Sequence, residues 1–363
     1  MPGRKQQLNI AMVGSGFIAR AHSNAFHQVG HFFDAPFSLH TKVVCGRNRE
    51  KLEAFAAQWE WGQTATEWEA VVTRPDIAIV DIAVPNALHA PIALAAARAG
   101  KIVFCEKPLA LSVAEAHEMA DAIGDRPNLV WFNYRRVPAI AFAKQLIEQG
   151  RIGQVFHYRA HYFNQSGIDP AKTNTWRYRR EEAGSGAIGD LISHSIDTAE
   201  YLNGEIRELS ATTHTFAPGR DVDDAVQVMA RFSNESVGSL EASRFGTGRR
   251  NGNGFEIYGS KGSLAFDLED MNRLEFFDAS EPPSLQARRD LLVTGPDHPY
   301  SSVFWKPGHI IGYEHTFIAT LGDFLLALAK GEVFHPNFRD AVRTQTVLAA
   351  VESAAASAMW KTI

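Results

Sequence analysis

The stretch that decides the fold is "LNIAMVGSGFIA", residues 8–19. Its first seven residues are almost continuously apolar, as expected of a parallel β-strand that is buried on both faces. Gly14, Gly16 and Ala19 then lead into a segment of helical periodicity that extends to about Val29. This pattern predicts a tight turn at Gly14, a close approach of backbone to a pyrophosphate at Gly16, and close packing of helix and strand at Ala19.

The start of the predicted helix, at Phe17 and Ile18, is expected to bind the anion, because the first N–H groups of a helix have no intrahelical partner. Three further strand-like runs each precede a helix-like segment: residues 41–45, 77–82 and 102–105. Strands that alternate with helices form a parallel sheet covered on both faces. Residues 1–133 are therefore predicted to form an α/β domain, a Rossmann doubly wound parallel sheet that binds a dinucleotide.

The chain changes character from about Val155. Runs such as "VFHYRAHYF" and "AVQVMARF" are rich in strand-forming residues and are separated by polar turns. Strands without intervening helices indicate an α+β domain with a large, mostly antiparallel open sheet. We expect residues 134–363 to form this domain and to provide substrate binding and oligomerisation, with the proline-rich residues 278–309 as an ordered loop.

Composition narrows the class of protein. The chain has 363 residues, of which 45% are hydrophobic, enough for two domains with large cores. A net charge of -5 provides no basic field for nucleic acid or an anionic membrane. No signal core and no apolar run of about 18 residues is evident, and Cys45 and Cys105 form neither a disulfide framework nor a CxxC metal site. We expect a cytoplasmic protein without a metal.

The position that reads the cofactor ribose follows the second strand. Gly46 and Arg47 stand where an Asp or Glu would select NAD. An arginine can accept a 2′-phosphate or stack on the adenine, so the cofactor is NAD or NADP, and Arg47 leans slightly to NADP. The interval from Gly16 exceeds the usual roughly 20 residues, and residues 30–39 are interpreted as an insertion.

Polar residues follow two middle strands at the sheet edge where α/β proteins bind ligands. They are Pro85, Asn86 and His89, then Glu106, Lys107 and Pro108. Asn86 could contact the cofactor or cap the following helix. Lys107 is either an ordinary loop lysine or a lysine directed into the cleft.

A second group of chemically active residues lies in "GDLISHSID", residues 189–197. Asp190 and His194 are four residues apart, hence on one face of a helix, with Asp197 one further turn along. Such a pair could be a surface ion pair, part of a metal site, or an acid/base pair in which the carboxylate orients the histidine. The spacing alone leaves all three open.

Three motifs occur in order: GSGFIA at residues 14–19, EKP at 106–108 and GDLISHSID at 189–197. In this combination the whole chain resembles the Gfo/Idh/MocA family of nicotinamide-dependent sugar and cyclitol oxidoreductases. The stretches "FNYRRVPA", "TWRYRREEAGSGAIGDL" and "GHIIGYEHTF" are most similar to its levoglucosan and sugar dehydrogenase branch, with inositol dehydrogenases more distant.

The resemblance implies hydride transfer between the nicotinamide and a ring hydroxyl or ketone of a sugar, anhydrosugar, glycoside or cyclitol. Lys107 would stabilise the reacting oxygen, His194 would act as acid and base, and Asp190 would orient His194 and bind a substrate hydroxyl. The bond between Lys107 and Pro108 tends to be cis in the family.

The resemblance also assigns substrate-binding positions: Tyr134, Asn164, Trp176, Arg177, Asp190, His194 and His315. Trp176 could equally be a core aromatic residue rather than a flat face for a sugar ring. Relatives usually assemble as homodimers or homotetramers. Two other activities of the same fold remain alternatives, an NAD-assisted glycoside hydrolase and a ketosugar reductase. A non-catalytic regulator is disfavoured, because it has no need of Lys107, Asp190 and His194 together.

Overall fold

The computed structural model describes residues 5–169 and 175–363. Residues 1–4, which open the predicted first domain, lie outside this part. The described chain divides into two compact units: one runs to Asn133 and includes Tyr313–Arg343, and the other comprises Tyr134–Gly312 and Thr344–Ile363. The division at Asn133 is where the sequence analysis placed it. The analysis, however, assigned Tyr313–Arg343 to the second domain, whereas this segment packs in the first.

A six-stranded parallel sheet organises the first unit. Its strands are β1 (Gln6–Val13), β2 (Phe37–Cys45), β3 (Thr64–Ala65), β4 (Ile79–Ile82), β5 (Ile102–Cys105) and β6 (Asn128–Val130). Their order is β3-β2-β1-β4-β5-β6, with every pair parallel. The intervening helices are α1 (Phe17–Phe32), α2 (Arg49–Gln58), α3 (Trp68–Val72), α4 (His89–Arg98) and α5 (Val113–Ile123). The central strands are buried on both faces, which confirms the predicted Rossmann topology.

Residues 30–39, which the sequence analysis interpreted as an insertion, are largely regular structure. They comprise the last turn of α1, a connection of four residues and the first residues of β2. Helix and strand are both longer than the sequence suggested, so the apparent extra length is regular structure.

A nine-stranded sheet dominates the second unit. Its strands are β7 (Val155–Phe163), β8 (Ile206–His214), β9 (Ala225–Phe232), β10 (Val237–Ser243), β11 (Gly252–Gly259), β12 (Gly262–Asp267), β13 (Arg273–Asp278), β14 (Arg289–Leu292) and β15 (Lys361–Thr362). In the order β14-β13-β12-β11-β7-β10-β9-β8-β15, only β7 and β10 pair in parallel. The predicted mostly antiparallel sheet is therefore confirmed.

Helices of this unit are α6 (Pro138–Glu148), α7 (Arg180–Ala183), α8 (Ser193–Asn203) and α9 (Ser301–Phe304), and a π-helical turn at Ile188–Ile192 leads into α8. Residues 278–309, expected to be loop throughout, contain β14 and α9, because β14 pairs with the neighbouring β13.

Two long helices end the chain, α10 (Tyr313–Lys330) and α11 (Phe338–Ser357). Helix α10 packs against α1, which explains why the segment belongs to the first unit. At the contact, a side chain on Gly322 would come within 2.4 Å of the ring of Phe33, so glycine is needed for this close approach. Among the described helices, none has the length and apolar character required of a membrane span.

We predict that Gly322→Val destabilises the protein by about 2 kcal/mol or more, because the added methyl groups overlap the buried ring of Phe33. Thermal unfolding followed by circular dichroism measures the loss. Ala329→Val, at an exposed position of the same helix, is the matched control and should cost less than about 1 kcal/mol. Equal losses in both variants would contradict the packing described here.

Candidate active site

The glycine motif lies where β1 ends. Gly14 has φ +121°, and a Cβ there would lie 2.0 Å from the carbonyl oxygen of Ala83 after β4, so only glycine fits. Its N–H donates to the Cys45 carbonyl at 2.8 Å. The ends of three adjacent strands are thereby drawn together at the sheet edge.

The beginning of α1 is suited to a pyrophosphate. Gly16 is the N-cap, and a Cβ built on it meets no atom within 4 Å, so the backbone is open to close approach. No side chain caps this helix and its first turn has no acidic residue. Phe17 is 70% exposed, and Ala19 is buried against the sheet as predicted. The residues present therefore fit a dinucleotide, whose phosphates would meet the helix N-terminus.

The position expected to face the ribose and adenine is exposed to solvent. Arg47 is exposed just beyond β2, and the Gly46 N–H donates to the Ala65 carbonyl at 3.0 Å. Pro85 precedes a 3₁₀ turn at Asn86–Leu88, and α4 has Leu88 rather than Asn86 as its N-cap. Asn86 is therefore not the N-cap of α4, which was one of the two roles left open for it.

His89 joins two loops. Its ring is fully buried, with Nδ1 3.0 Å from the Pro108 carbonyl oxygen and Nε2 3.0 Å from that of Val84. Burial lowers the pKa of this imidazole. The sequence analysis assigned His89 to cofactor binding. In the structure both ring nitrogens face backbone carbonyls of the loops that follow β4 and β5, and cofactor binding by His89 stays a prediction.

The loop after β5 carries Lys107, and its peptide bond to Pro108 is cis, as in the family it resembles. The Lys107 backbone N–H donates to Glu106 Oε2 at 3.1 Å. The other oxygen of Glu106, Oε1, lies 3.1 Å from His22 Nε2. Glu106 was predicted to bind the cofactor. In the structure its carboxylate is buried and both of its oxygens have partners within the protein, and cofactor binding by Glu106 stays a prediction.

A buried polar cluster supports this loop. His22 Nδ1 lies 2.8 Å from Asp81 Oδ2, and Trp131 Nε1 donates to Asp81 Oδ1 at 2.9 Å. Burial opposes protonation of His22, but the carboxylates of Asp81 and Glu106 raise its pKa to about 9. Sequence reasoning missed His22 and Asp81; the only signals were a histidine on the core face of α1 and an aspartate within an apolar strand.

In the second unit, Asp190 lies in the π-helical turn and His194 in the first turn of α8. The pair therefore does not lie in one continuous α-helix, because residues 188–192 form a π turn, which is wider than an α turn. Asp190 Oδ2 accepts a hydrogen bond from Arg244 Nη2 at 3.1 Å, and Arg177 Nε lies 4.0 Å from Oδ1.

Buried charges hold the glycine-rich turn before Asp190. Arg244 is 1% exposed and also donates to the carbonyl oxygens of Arg177 and Gly186. Asp223 accepts the N–H groups of Gly186 at 2.7 Å and Ile188 at 2.9 Å. A Cβ on Gly186 would lie 1.7 Å from the Asp223 carbonyl oxygen, so this glycine is obligatory. Arg244 and Asp223 had no local signal in the sequence.

His194 is 7% exposed and lies among aromatic side chains. Its ring centroid is 4.6 Å from that of Tyr134 and 5.9 Å from that of Tyr162. The two tyrosine hydroxyls are 3.2 Å apart, and that of Tyr162 donates to Asn251 Oδ1 at 2.7 Å. The structure thus brings the predicted residues His194 and Tyr134 together and adds Tyr162, which sequence reasoning missed.

Asp197 pairs with Arg135 through two hydrogen bonds of 2.9 and 2.7 Å. This buried bidentate pair joins the start of the second unit to α8, which carries His194. Asp197 therefore supports the helix instead of extending a row of acid/base residues.

The remaining predicted substrate residues occupy several places. Trp176 is half-buried, with the Arg177 guanidinium 4.6 Å from its ring centroid, so it is not a core aromatic. Asn164 Oδ1 accepts from the N–H and hydroxyl of Ser166. His315 belongs to the first unit, where its Nδ1 is 3.2 Å from Glu314. Within the described residues, no three His, Cys, Asp or Glu side chains converge as a metal site would require.

Comparison with protein families gives two matches. Residues 8–134 match the NAD-binding Rossmann fold of the GFO/IDH/MocA oxidoreductase family, and residues 140–265 match the GFO/IDH/MocA C-terminal domain. Between them they include the glycine motif, Lys107, Asp190 and His194.

Individual relatives agree with these matches. Levoglucosan dehydrogenase of Pseudarthrobacter phenanthrenivorans is 38% identical over 98% of both chains. A crystal structure of an oxidoreductase domain protein from Kribbella flavida is 44% identical, with a TM-score of 0.95 over 99% of both chains. A levoglucosan dehydrogenase in complex with NADH and levoglucosan is 40% identical, with a TM-score of 0.96 over 99% of both chains. The chain therefore belongs to the Gfo/Idh/MocA family of oxidoreductases and carries that family's NAD-binding domain.

Proposed function

We propose that the protein is an NAD(P)-dependent dehydrogenase that oxidises a ring hydroxyl of an anhydrosugar or sugar, with levoglucosan as the first candidate. The observation that carries this proposal is the setting of His194, a buried imidazole beside the hydroxyl-bearing ring of Tyr134, with Asp190, whose carboxylate Arg244 holds, four residues before it in the chain. Such a group can move a proton without a metal. The similarity to a levoglucosan dehydrogenase favours the same class of substrate.

Lys107 is the electrostatic component of the proposed mechanism. Its ammonium would donate a hydrogen bond to the reacting oxygen and stabilise the negative charge that develops there. The hydrogen bond from its backbone N–H to Glu106 and the contact of Pro108 with His89 hold this loop at the end of β5. A fixed donor stabilises a developing charge better than a mobile one, because no reorganisation is needed during the reaction.

His194 is the proposed acid and base. During oxidation its ring takes the hydroxyl proton while the C–H bond breaks, and the O–H electron pair becomes the second bond of the carbonyl. When bound, the nicotinamide supplies the acceptor for the hydride that leaves the carbon. In the reverse direction His194 returns the proton to the carbonyl oxygen.

Substrate recognition is assigned to polar groups around one apolar surface. Asp190 would accept a hydrogen bond from a sugar hydroxyl while Arg244 holds its other side. Trp176, with Arg177 over its ring, would offer a flat face to the C–H side of a pyranose. We further assign Tyr134, Asn164 and His315 to hydroxyl recognition.

The cofactor assignment combines two positions. The turn at residues 14–18 would hold the pyrophosphate, and Arg47 would face the 2′ position of the adenosine ribose.

We also propose a homodimer or homotetramer, because exposed Met229 and Val237 leave apolar area on the nine-stranded sheet.

The function is tested by following reduction of NAD and NADP with levoglucosan, glucose, glucosides, inositols and 1,5-anhydrosugars. We expect turnover with one substrate class, levoglucosan or a related ring. The reason is that the buried acid/base group, His194, is suited to taking the proton of a ring hydroxyl. Intact cofactor binding without turnover on any of these compounds would contradict the dehydrogenase. Release of an aglycone without net reduction would identify the redox-neutral hydrolase instead.

Replacing Lys107 tests the mechanism. Lys107→Met should lower kcat by about 10²–10³-fold, the usual loss for one donor to a developing oxyanion, while the dissociation constant of the cofactor changes little. Stopped-flow turnover and fluorescence titration of the cofactor separate the two quantities. Lys330→Met, at an exposed lysine, is the control and should leave both unchanged. Full turnover of Lys107→Met would eliminate the assigned role.

Arg47 should determine the choice of cofactor. In Arg47→Asp the carboxylate can accept the ribose 2′-hydroxyl but repels a 2′-phosphate, so the ratio of kcat/KM for NADP to that for NAD should fall at least about tenfold. Arg49→Asp, two residues away on α2, serves as a charge-matched control. An unchanged ratio in Arg47→Asp would show that this residue does not read the 2′ position.

A further inference from the structure

A fully buried histidine with a carboxylate at each ring nitrogen lies below the Lys107 loop. His22 is 0% exposed, with Nδ1 2.8 Å from Asp81 Oδ2 and Nε2 3.1 Å from Glu106 Oε1. The three residues come from α1, β4 and the end of β5. None of them contributes a step to the mechanism above.

The hydrogen-bond partners of His22 favour a particular protonation state. A neutral imidazole has one N–H and an ionised carboxylate only accepts, so a proton on each ring nitrogen satisfies both contacts while both carboxylates stay ionised. Two buried carboxylates without a cation would also be very costly. The raised pKa of His22 agrees with this protonation state.

Among the described residues, the rings that contact His22 are aromatic and carry no charge. Its ring stacks on Trp131 with centroids 4.2 Å apart, and the rings of Phe26 and Phe317 lie nearby at 6.5 and 5.5 Å. The titratable neighbour Cys105 is buried and its pKa is raised by that burial, so it remains a neutral thiol. Of the groups named here, His22 is the one that lies between the two carboxylates and can carry a positive charge.

Glu106 links His22 to the loop that carries Lys107. One of its oxygens contacts His22 and the other accepts the backbone N–H of Lys107. If the contact to His22 is lost, Glu106 can rotate, and the Lys107 backbone loses the acceptor that fixes it. A donor displaced by a fraction of an ångström stabilises the transition state less well.

We propose that His22 is a doubly protonated positioning residue that holds Lys107 in place through Glu106. The catalytic consequence rests on the proposed function of Lys107, whereas the protonation state does not.

Nitrogen-15 NMR of histidine-labelled protein tests the protonation state. The His22 resonances, identified by their loss in His22→Gln, should report two protonated nitrogens at pH 7–8 in the wild type. In Asp81→Asn the new amide can donate to Nδ1 and still accept from Trp131, so His22 should carry a single proton. A wild-type His22 with one protonated nitrogen would overturn the proposal, and so would an Asp81→Asn protein in which His22 keeps both.

Kinetics test the positioning. His22→Gln should lower kcat about tenfold or more while KM for the sugar changes less than about threefold, the signature of an interaction needed only in the transition state. His27→Gln is the matched control, because His27 lies on the same helix with its Nε2 2.9 Å from the Trp59 carbonyl oxygen, outside the cluster of His22, Asp81 and Glu106. A folded His22→Gln protein with wild-type kcat would refute the positioning role.

Asp81→Asn decides the matter if His22→Gln does not fold. It keeps a hydrogen bond from a neutral His22 to Glu106 but removes the positive charge of the imidazolium, which weakens that bond, so kcat should fall about threefold with KM unchanged. Unchanged kcat would contradict the proposal. Failure of the proposed function appears separately, as full turnover of Lys107→Met, and leaves the NMR result unaffected.

Discussion

The contacts of His22 with Asp81 and Glu106 join the first helix to the ends of two central strands. A parallel sheet places its ligand site at this edge, where the loops have few backbone hydrogen bonds of their own. Here the loops are held by side chains from below: Glu106 accepts the Lys107 N–H, and His89 contacts the carbonyls of Val84 and Pro108. A buried polar cluster therefore fixes the backbone of the loop that carries the flexible side chain of Lys107.

The second domain also holds its proposed site with buried charged side chains. There the supporting group is a cation instead of a carboxylate. Asp190 is a partly buried carboxylate and Arg244 the buried guanidinium that holds it, while Asp223 accepts the backbone N–H groups of the turn before it. His194 is supported by the pair of Asp197 with Arg135. In each domain the residue assigned to chemistry lies on backbone that a buried ionic contact positions, which suits groups that must be in place before the substrate arrives.

Local signals were sufficient for the fold, and they supplied the residues to which the proposed chemistry is assigned. The glycines at 14 and 16, the apolar strands and the Glu-Lys-Pro stretch each have a short-range physical meaning, and they predicted the parallel sheet and the loop with Lys107. The supporting residues had no such signal. His22 is 59 residues from Asp81 and 84 from Glu106, and Arg244 is 54 from Asp190. Likewise, the return of Tyr313–Arg343 to the first unit depends on the contact of α10 with α1, and the π turn at Asp190 is invisible in a periodicity of 3.6 residues.

The decisive measurement is a crystal structure of the protein with the nicotinamide cofactor and levoglucosan bound. The mechanism predicts that Lys107 Nζ and a ring nitrogen of His194 both lie within about 3.2 Å of the same carbinol oxygen. The hydrogen on that carbon should point at the nicotinamide ring. A sugar bound with its reacting hydroxyl in contact with neither residue would contradict the assignment of Lys107 and His194 as the electrostatic stabiliser and the acid/base group.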